Sequence, residues 1–196
     1  GLNMTAAELR HVDRIVIAPS GTSWHAALVG EYLIEELAQI PVEVEFAHEF
    51  CYRNCPLEKN TVLLVLSQSG ETADTLASLR YAKSAKQHVL SVINVTTSTI
   101  ARESDVVMPT LAGPEIGVAS TKAFTSQLVA LYLLGLKLGQ LKGTLSAEDS
   151  KRHVEALLQL PILLEQTLKI APLMEEVAAR FHSASDFLYL GRGIQY

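Results

Sequence analysis

Apolar and polar positions alternate along the chain in short and long blocks. The block 14–19 is short, apolar and ends in Ser20-Gly21, and the segment 24–39 after it sets Ala27, Leu28, Leu33, Ile34 and Leu37 at helical spacing. That pattern predicts strand, loop, helix. Residues 42–46 alternate as a half-exposed strand does, whereas 61–66 are apolar on both faces, as in a central parallel strand. A helix over 73–85 follows, then strands at 88–94 and 105–109 separated by a short helical turn around 98–103. The spacing next predicts a long helix over 119–139 and two helices within 147–182, broken near Pro172 and kinked at Pro161. Residues 186–193 repeat the opening pattern, an apolar strand running into a glycine turn.

Strands alternating with helices imply an α/β fold: an open, doubly wound parallel sheet of about five strands flanked by helices, with C-terminal helices. The length of 196 residues suits one well-buried domain. Because the strand at 186–193 has no covering helix after it, the expected organisation is a domain over 1–183 and the truncated start of a second over 184–196. A composition of 48% hydrophobic and 19% charged residues describes an ordinary globular chain. Its net charge of -5 supplies no general positive field for nucleic acid or an anionic membrane, so a bound phosphate must be held locally. The apolar stretch 128–138, interrupted by Gly135 and Lys137, is far shorter than the roughly 20 residues of a membrane span. Cys51 and Cys55 are the only cysteines and no secretory h-region opens the chain, which fits a reducing cytoplasm.

Two loops carry the candidate chemistry. In an open parallel sheet ligands bind beyond the carboxyl ends of the strands, where helix N-termini offer free N–H groups. Ser20-Gly21-Thr22-Ser23 and Ser67-Gln68-Ser69-Gly70-Glu71-Thr72 both fall there, with hydroxyl and amide donors and a glycine that lets the backbone approach an anion. The competing use of these hydroxyls is helix capping. A dinucleotide site, with Glu43 or Glu45 on a ribose, is disfavoured because the loop has one glycine where that fingerprint has three. His48, Cys51 and Cys55 lack the paired, four-ligand pattern of structural zinc and are read as residues of a short helix after Phe46, with no metal expected. Lys122 is read as structural or weakly electrostatic, Trp24 as a core or interface residue, and Glu71 as a helix N-terminal charge rather than a general base.

The strings Gly21-Thr22-Ser23, 67–75 and 115–125 together resemble the sugar isomerase (SIS) domain family. Within it, residues 14–193 are most similar to the first isomerase lobe of the glutamine–fructose-6-phosphate aminotransferases, which make glucosamine 6-phosphate. The resemblance implies an SIS-type, flavodoxin-like fold that binds fructose 6-phosphate or glucosamine 6-phosphate without a cofactor. It implies that Ser67, Gln68, Ser69 and Thr72 bind phosphate, that Ser20, Gly21, Thr22 and Ser23 border the sugar, and that Val118, Ala119 and Ser120 close over it. Serine at position 20 departs from the family's usual cysteine but keeps a small polar group. The family's catalytic glutamate, histidine and Schiff-base lysine belong to a second lobe and tail, and its glutaminase to another domain. No catalytic residue is therefore expected here, and the chain alone is expected to be inactive. The resemblance further implies a homodimer. The rival reading is a non-catalytic phosphosugar sensor, which would be expected to carry a helix-turn-helix segment.

Overall fold

A computed structural model describes residues 4–53 and 55–195. In chain order the first unit contains α1 (Ala6–Arg10), β1 (Arg14–Ile17), α2 (Ser23–Ala38), β2 (Val42–Val44), α3 (Ala47–Tyr52), β3 (Thr61–Ser67), α4 (Ala73–Ser84), β4 (His88–Ile93), α5 (Thr99–Glu103), β5 (Val106–Pro109) and α6 (Lys122–Lys142). The second contains α7 (Ala147–Leu168), α8 (Ala171–Phe181) and a 3-10 turn at Gly193–Gln195. The division falls between Leu145 and Ser146.

All five strands are parallel, in the order β2-β1-β3-β4-β5. Strand β3 lies at the centre and is buried along its whole length, as its unbroken apolar sequence requires. Its side chains alternate between two cores. Val62, Leu64 and Leu66 join Ile15, Ile17, Leu90 and Val92 beneath Ala27 and Ile34 of α2 and Leu131, Leu134 and Leu138 of α6. Leu63 and Val65 face the other way, with Val16, Val89 and Ile93, against Phe50 of α3, Leu79 of α4 and Ile100 of α5. This two-sided cover is the predicted doubly wound architecture, and because all five strands are parallel their carboxyl ends lie at one edge of the sheet.

Helices α2 and α6 approach closely because glycines lie between them. A side chain at Gly30 would come within 2.8 Å of Leu131, and one at Gly139 within 2.4 Å of the Leu37 carbonyl. The carbonyl is backbone and cannot move aside, so the spacing at that end is set by main chain.

Two sequence expectations need correction. The segment 186–190 forms no strand: it finds no ladder partner among the described residues, and Phe187, Leu188, Tyr189 and Leu190 are exposed. Without that ladder, apolar alternation alone does not make a strand. The long helix begins at Lys122 rather than 119, for a reason given below. The two expected helices within 147–182 are present: α7 contains Pro161, and the break falls at Lys169 and Ile170, near Pro172, which sits in the first turn of α8, where its missing N–H costs nothing. The short helix α1 was not anticipated. It carries a Thr5–Glu8 capping box, and that sequence signature was available.

Candidate functional site

The chain leaves β1 toward β2 on one side and returns to β3 on the other, so the carboxyl ends of β1 and β3 bound the crevice at the switch point of the sheet. Both hydroxyl loops open there. They line a solvent-open recess of about 530 Å³ together with Leu66, Glu115, Gly117, Val118 and Ser120. The predicted residues Ser20, Gly21, Thr22, Ser23, Ser67, Gln68, Ser69, Thr72, Val118 and Ser120 meet in this one place; Ala119 does not line it.

Glycine is needed in the two loops for different reasons. Gly21 takes φ +61° in open space, so only its backbone conformation favours glycine. Gly70 takes φ +68°, and a side chain there would also fall 2.0 Å from Ser98 Oγ and 2.5 Å from Ile93 Cδ1.

The hydroxyls are not consumed by capping in the way their positions suggest. Thr22 is the N-cap of α2 and Thr72 the N-cap of α4, and neither side chain makes a capping bond. Ser67 Oγ accepts the Gly70 N–H at 2.9 Å and Ser69 Oγ accepts the Glu71 N–H at 3.3 Å. Each serine thus folds the loop through a lone pair and keeps its own proton to donate. Ser23 Oγ is buried and accepts from Gln127 Nε2 at 3.0 Å, while Ser20 Oγ lies 3.3 Å from Thr75 Oγ1. Gln127 and Thr75 escaped sequence reading because helical residues far along the chain give no local signal for such partners.

No lysine or arginine lines the recess among the described residues. An anion there would be held by neutral hydroxyl, amide and main-chain donors, each charge-assisted bond contributing about 1.5–3 kcal/mol. The α4 N-terminus adds its partial positive charge.

Opposing charge enters from Glu115. Its Oε2 accepts from Ser120 Oγ (3.2 Å), Thr121 N–H (3.3 Å) and Ala123 N–H (3.2 Å), and its Oε1 from Gly117 N–H (3.4 Å). The bond from Ala123, with those from the rest of the loop, holds this carboxyl below its ordinary range. Here is the cause of the late helix start: residues 117–121 wrap the carboxylate instead of continuing α6 toward 119. Val118, 102% exposed, stands at the rim.

The remaining candidates have other employment. Glu71 Oε1 accepts the Thr99 N–H at 2.7 Å, so it serves a helix N-terminus, but that of α5 and not of the helix it precedes; this bond lowers its carboxyl. Glu43 pairs with Arg14 and Glu45 with Arg53, which takes both carboxylates away from a ribose role. Trp24 stacks on Phe46 at 3.7 Å, nearly parallel. Cys51 Sγ donates to the His48 carbonyl, Cys55 is buried beside Arg53, and among the described residues no three His, Cys, Asp or Glu side chains converge as a metal site requires. Lys122 is the exposed first residue of α6 and lies outside the recess lining. No helix among the described residues is long and apolar enough to cross a membrane.

Comparison with known proteins agrees with this geometry. The chain is 46% identical over 195 residues to glutamine–fructose-6-phosphate aminotransferase (isomerizing) of Clostridium tetani, covering 100% of this chain and 32% of the relative. It is 49% identical over 189 residues to the protein of that name in Bradyrhizobium diazoefficiens, covering 96% and 31%. The chain therefore spans about a third of the length of these curated relatives. Among solved structures, the C-terminal domain of glucosamine-fructose-6-phosphate aminotransferase from Francisella tularensis superposes with a TM-score of 0.93 at 38% identity, over 97% of this chain and 54% of that one. The SIS domain model matches residues 8–137, which contain the β1 and β3 loops, Glu115 and Gln127. With that match over most of its length and the sheet and recess described above, the chain belongs to the SIS domain family.

Proposed function

We propose that the recess is the phosphosugar site of a glutamine–fructose-6-phosphate aminotransferase (isomerising), and that this chain is its phosphate-binding lobe. The observation that carries the reading is the pair of N-cap threonines, Thr22 and Thr72, whose hydroxyls line the recess without capping their helices. Ser67, Gln68, Ser69 and Thr72 take the phosphate at the start of α4; Thr22 and Ser23 take sugar hydroxyls; the 118–120 segment closes the open side. In the reaction, fructose 6-phosphate and glutamine become glucosamine 6-phosphate and glutamate, the amide nitrogen of glutamine becoming the sugar's amino group and the oxygen lost from the ketose being balanced by the new carboxyl oxygen of glutamate. Among the described residues Glu115 is the only titratable side chain lining the recess, and its hydrogen bonds, that from Ala123 first, favour its ionised form. The lobe therefore binds and orients, and the proton-transfer groups come from the rest of the enzyme.

We place that enzyme in the cytoplasm as a homodimer, with 184–196 opening a second lobe. The relatives' threefold greater length and the exposed apolar side chains of α7 and α8, among them Leu158, Ile162, Leu173 and Phe181, support this organisation. Tyr196 lies outside the described residues.

Calorimetric titration with fructose 6-phosphate and glucosamine 6-phosphate tests the site. The expected Kd lies between roughly millimolar and micromolar, given a few charge-assisted bonds offset by the cost of association. Thr72→Val is expected to weaken binding about tenfold, the equivalent of one such bond, with an unchanged Tm because the hydroxyl caps nothing. Absence of binding by folded protein, or an unaltered Kd in Thr72→Val, contradicts the assignment.

A further inference from the structure

We propose that Glu115 is the specificity-determining residue that restricts the recess to ligands with a single anionic group. The inference rests on the phosphosugar reading above and deepens it. Three helix N-termini come close to the recess, those of α2, α4 and α6, and each is a ready place for an anion. They are treated differently. At α2 and α4 the N-cap threonines, Thr22 and Thr72, make no side-chain capping bond and line the recess. At α6 the Thr121 and Ala123 N–H groups already donate to Glu115, as do the Ser120 hydroxyl and the Gly117 N–H of the approaching loop.

The chain has thus supplied its own anion at the α6 terminus alone. Two consequences act in the same direction. A second phosphate on the sugar would find these donors occupied, and it would meet a carboxylate in a recess whose described lining holds no lysine or arginine to offset the repulsion. A neutral hydroxyl end of the sugar suffers neither penalty. Discrimination by repulsion of this kind needs no contact with the correct ligand.

The probes are fructose 6-phosphate and fructose 1,6-bisphosphate, titrated calorimetrically against the wild-type chain and Glu115→Gln. The wild type is expected to bind the bisphosphate at least about tenfold more weakly than the monophosphate, as expected for like charges brought together in a partly screened site. Glu115→Gln keeps an amide oxygen as acceptor for the loop but removes the charge, and is expected to narrow that ratio to within about threefold through tighter bisphosphate binding. Raising salt to about 0.5 M is expected to narrow the ratio in the wild type as well, a readout that a purely structural role would not move and that needs no variant. Equal affinity for the two sugars in the wild type, a salt-independent ratio, or an unchanged ratio in a folded Glu115→Gln overturns the assignment to Glu115 while leaving the phosphosugar reading standing. Failure of fructose 6-phosphate itself to bind overturns that reading and this inference with it.

Discussion

The two hydroxyl loops have similar compositions and are stabilised in different ways. The loop after β3 has ties of its own, Ser67 and Ser69 holding the main chain of Gly70 and Glu71, and is also seated on the start of α5, where Glu71 accepts the Thr99 N–H and Gly70 fits tightly against Ser98. The loop after β1 is held from outside. A side chain at Gly21 would meet nothing within 4 Å, and the side-chain ties are Ser20 to Thr75 and Ser23 to Gln127, the latter spanning 104 positions. One hydroxyl-rich loop therefore carries side-chain ties within itself, while those of its neighbour all come from α4 and α6.

The largest effect that would break this contrast is a matched pair of glycine substitutions. Gly70→Ala combines an unfavourable positive φ with a clash and is expected to lower stability by about 3 kcal/mol or more, while Gly21→Ala meets only the backbone penalty of about 1–2 kcal/mol. Denaturant unfolding of both reads the difference; equal losses would refute the contrast. Next in size, Gln127→Leu leaves the buried Ser23 hydroxyl without its donor and is expected to cost about 1–3 kcal/mol. Hydrogen exchange should then quicken at Trp24 and not at Gly70. Quickening at both, or at neither, would show that the loops are not separately held.

The smallest effect is acid sensitivity around Glu71. Its carboxyl is lowered from an ordinary value of 4.5, chiefly by the Thr99 N–H. A depressed folded value contributes stability that is complete above about pH 4.5 and is lost as pH falls through the folded value. Thermal melts from about pH 6 down to about pH 3 should therefore fall slightly more steeply in the wild type than in Glu71→Gln. Parallel curves would remove Glu71 as an acid-sensitive brace between the β3 loop and α5.

Much of this was legible in the sequence because buried parallel strands have no exposed face to disguise them. Residues 61–66 announced β3, and the glycine-and-hydroxyl strings after β1 and β3 announced the recess. What stayed hidden depended on partners. Gln127 looks like any polar residue of an apolar helix until α2 is placed against it. Glu115 sits in a recognisable string, but nothing local shows that its carboxylate replaces the first turn expected of α6. The segment 186–190 has strand-like alternation and lacks what makes a strand, a neighbour to bond.

The open rim of the recess has a practical consequence for chemical probes. The workable growth vector runs outward past Val118 and Ile116, both almost fully solvated, and an inhibitor elaborated along it should carry neutral substituents.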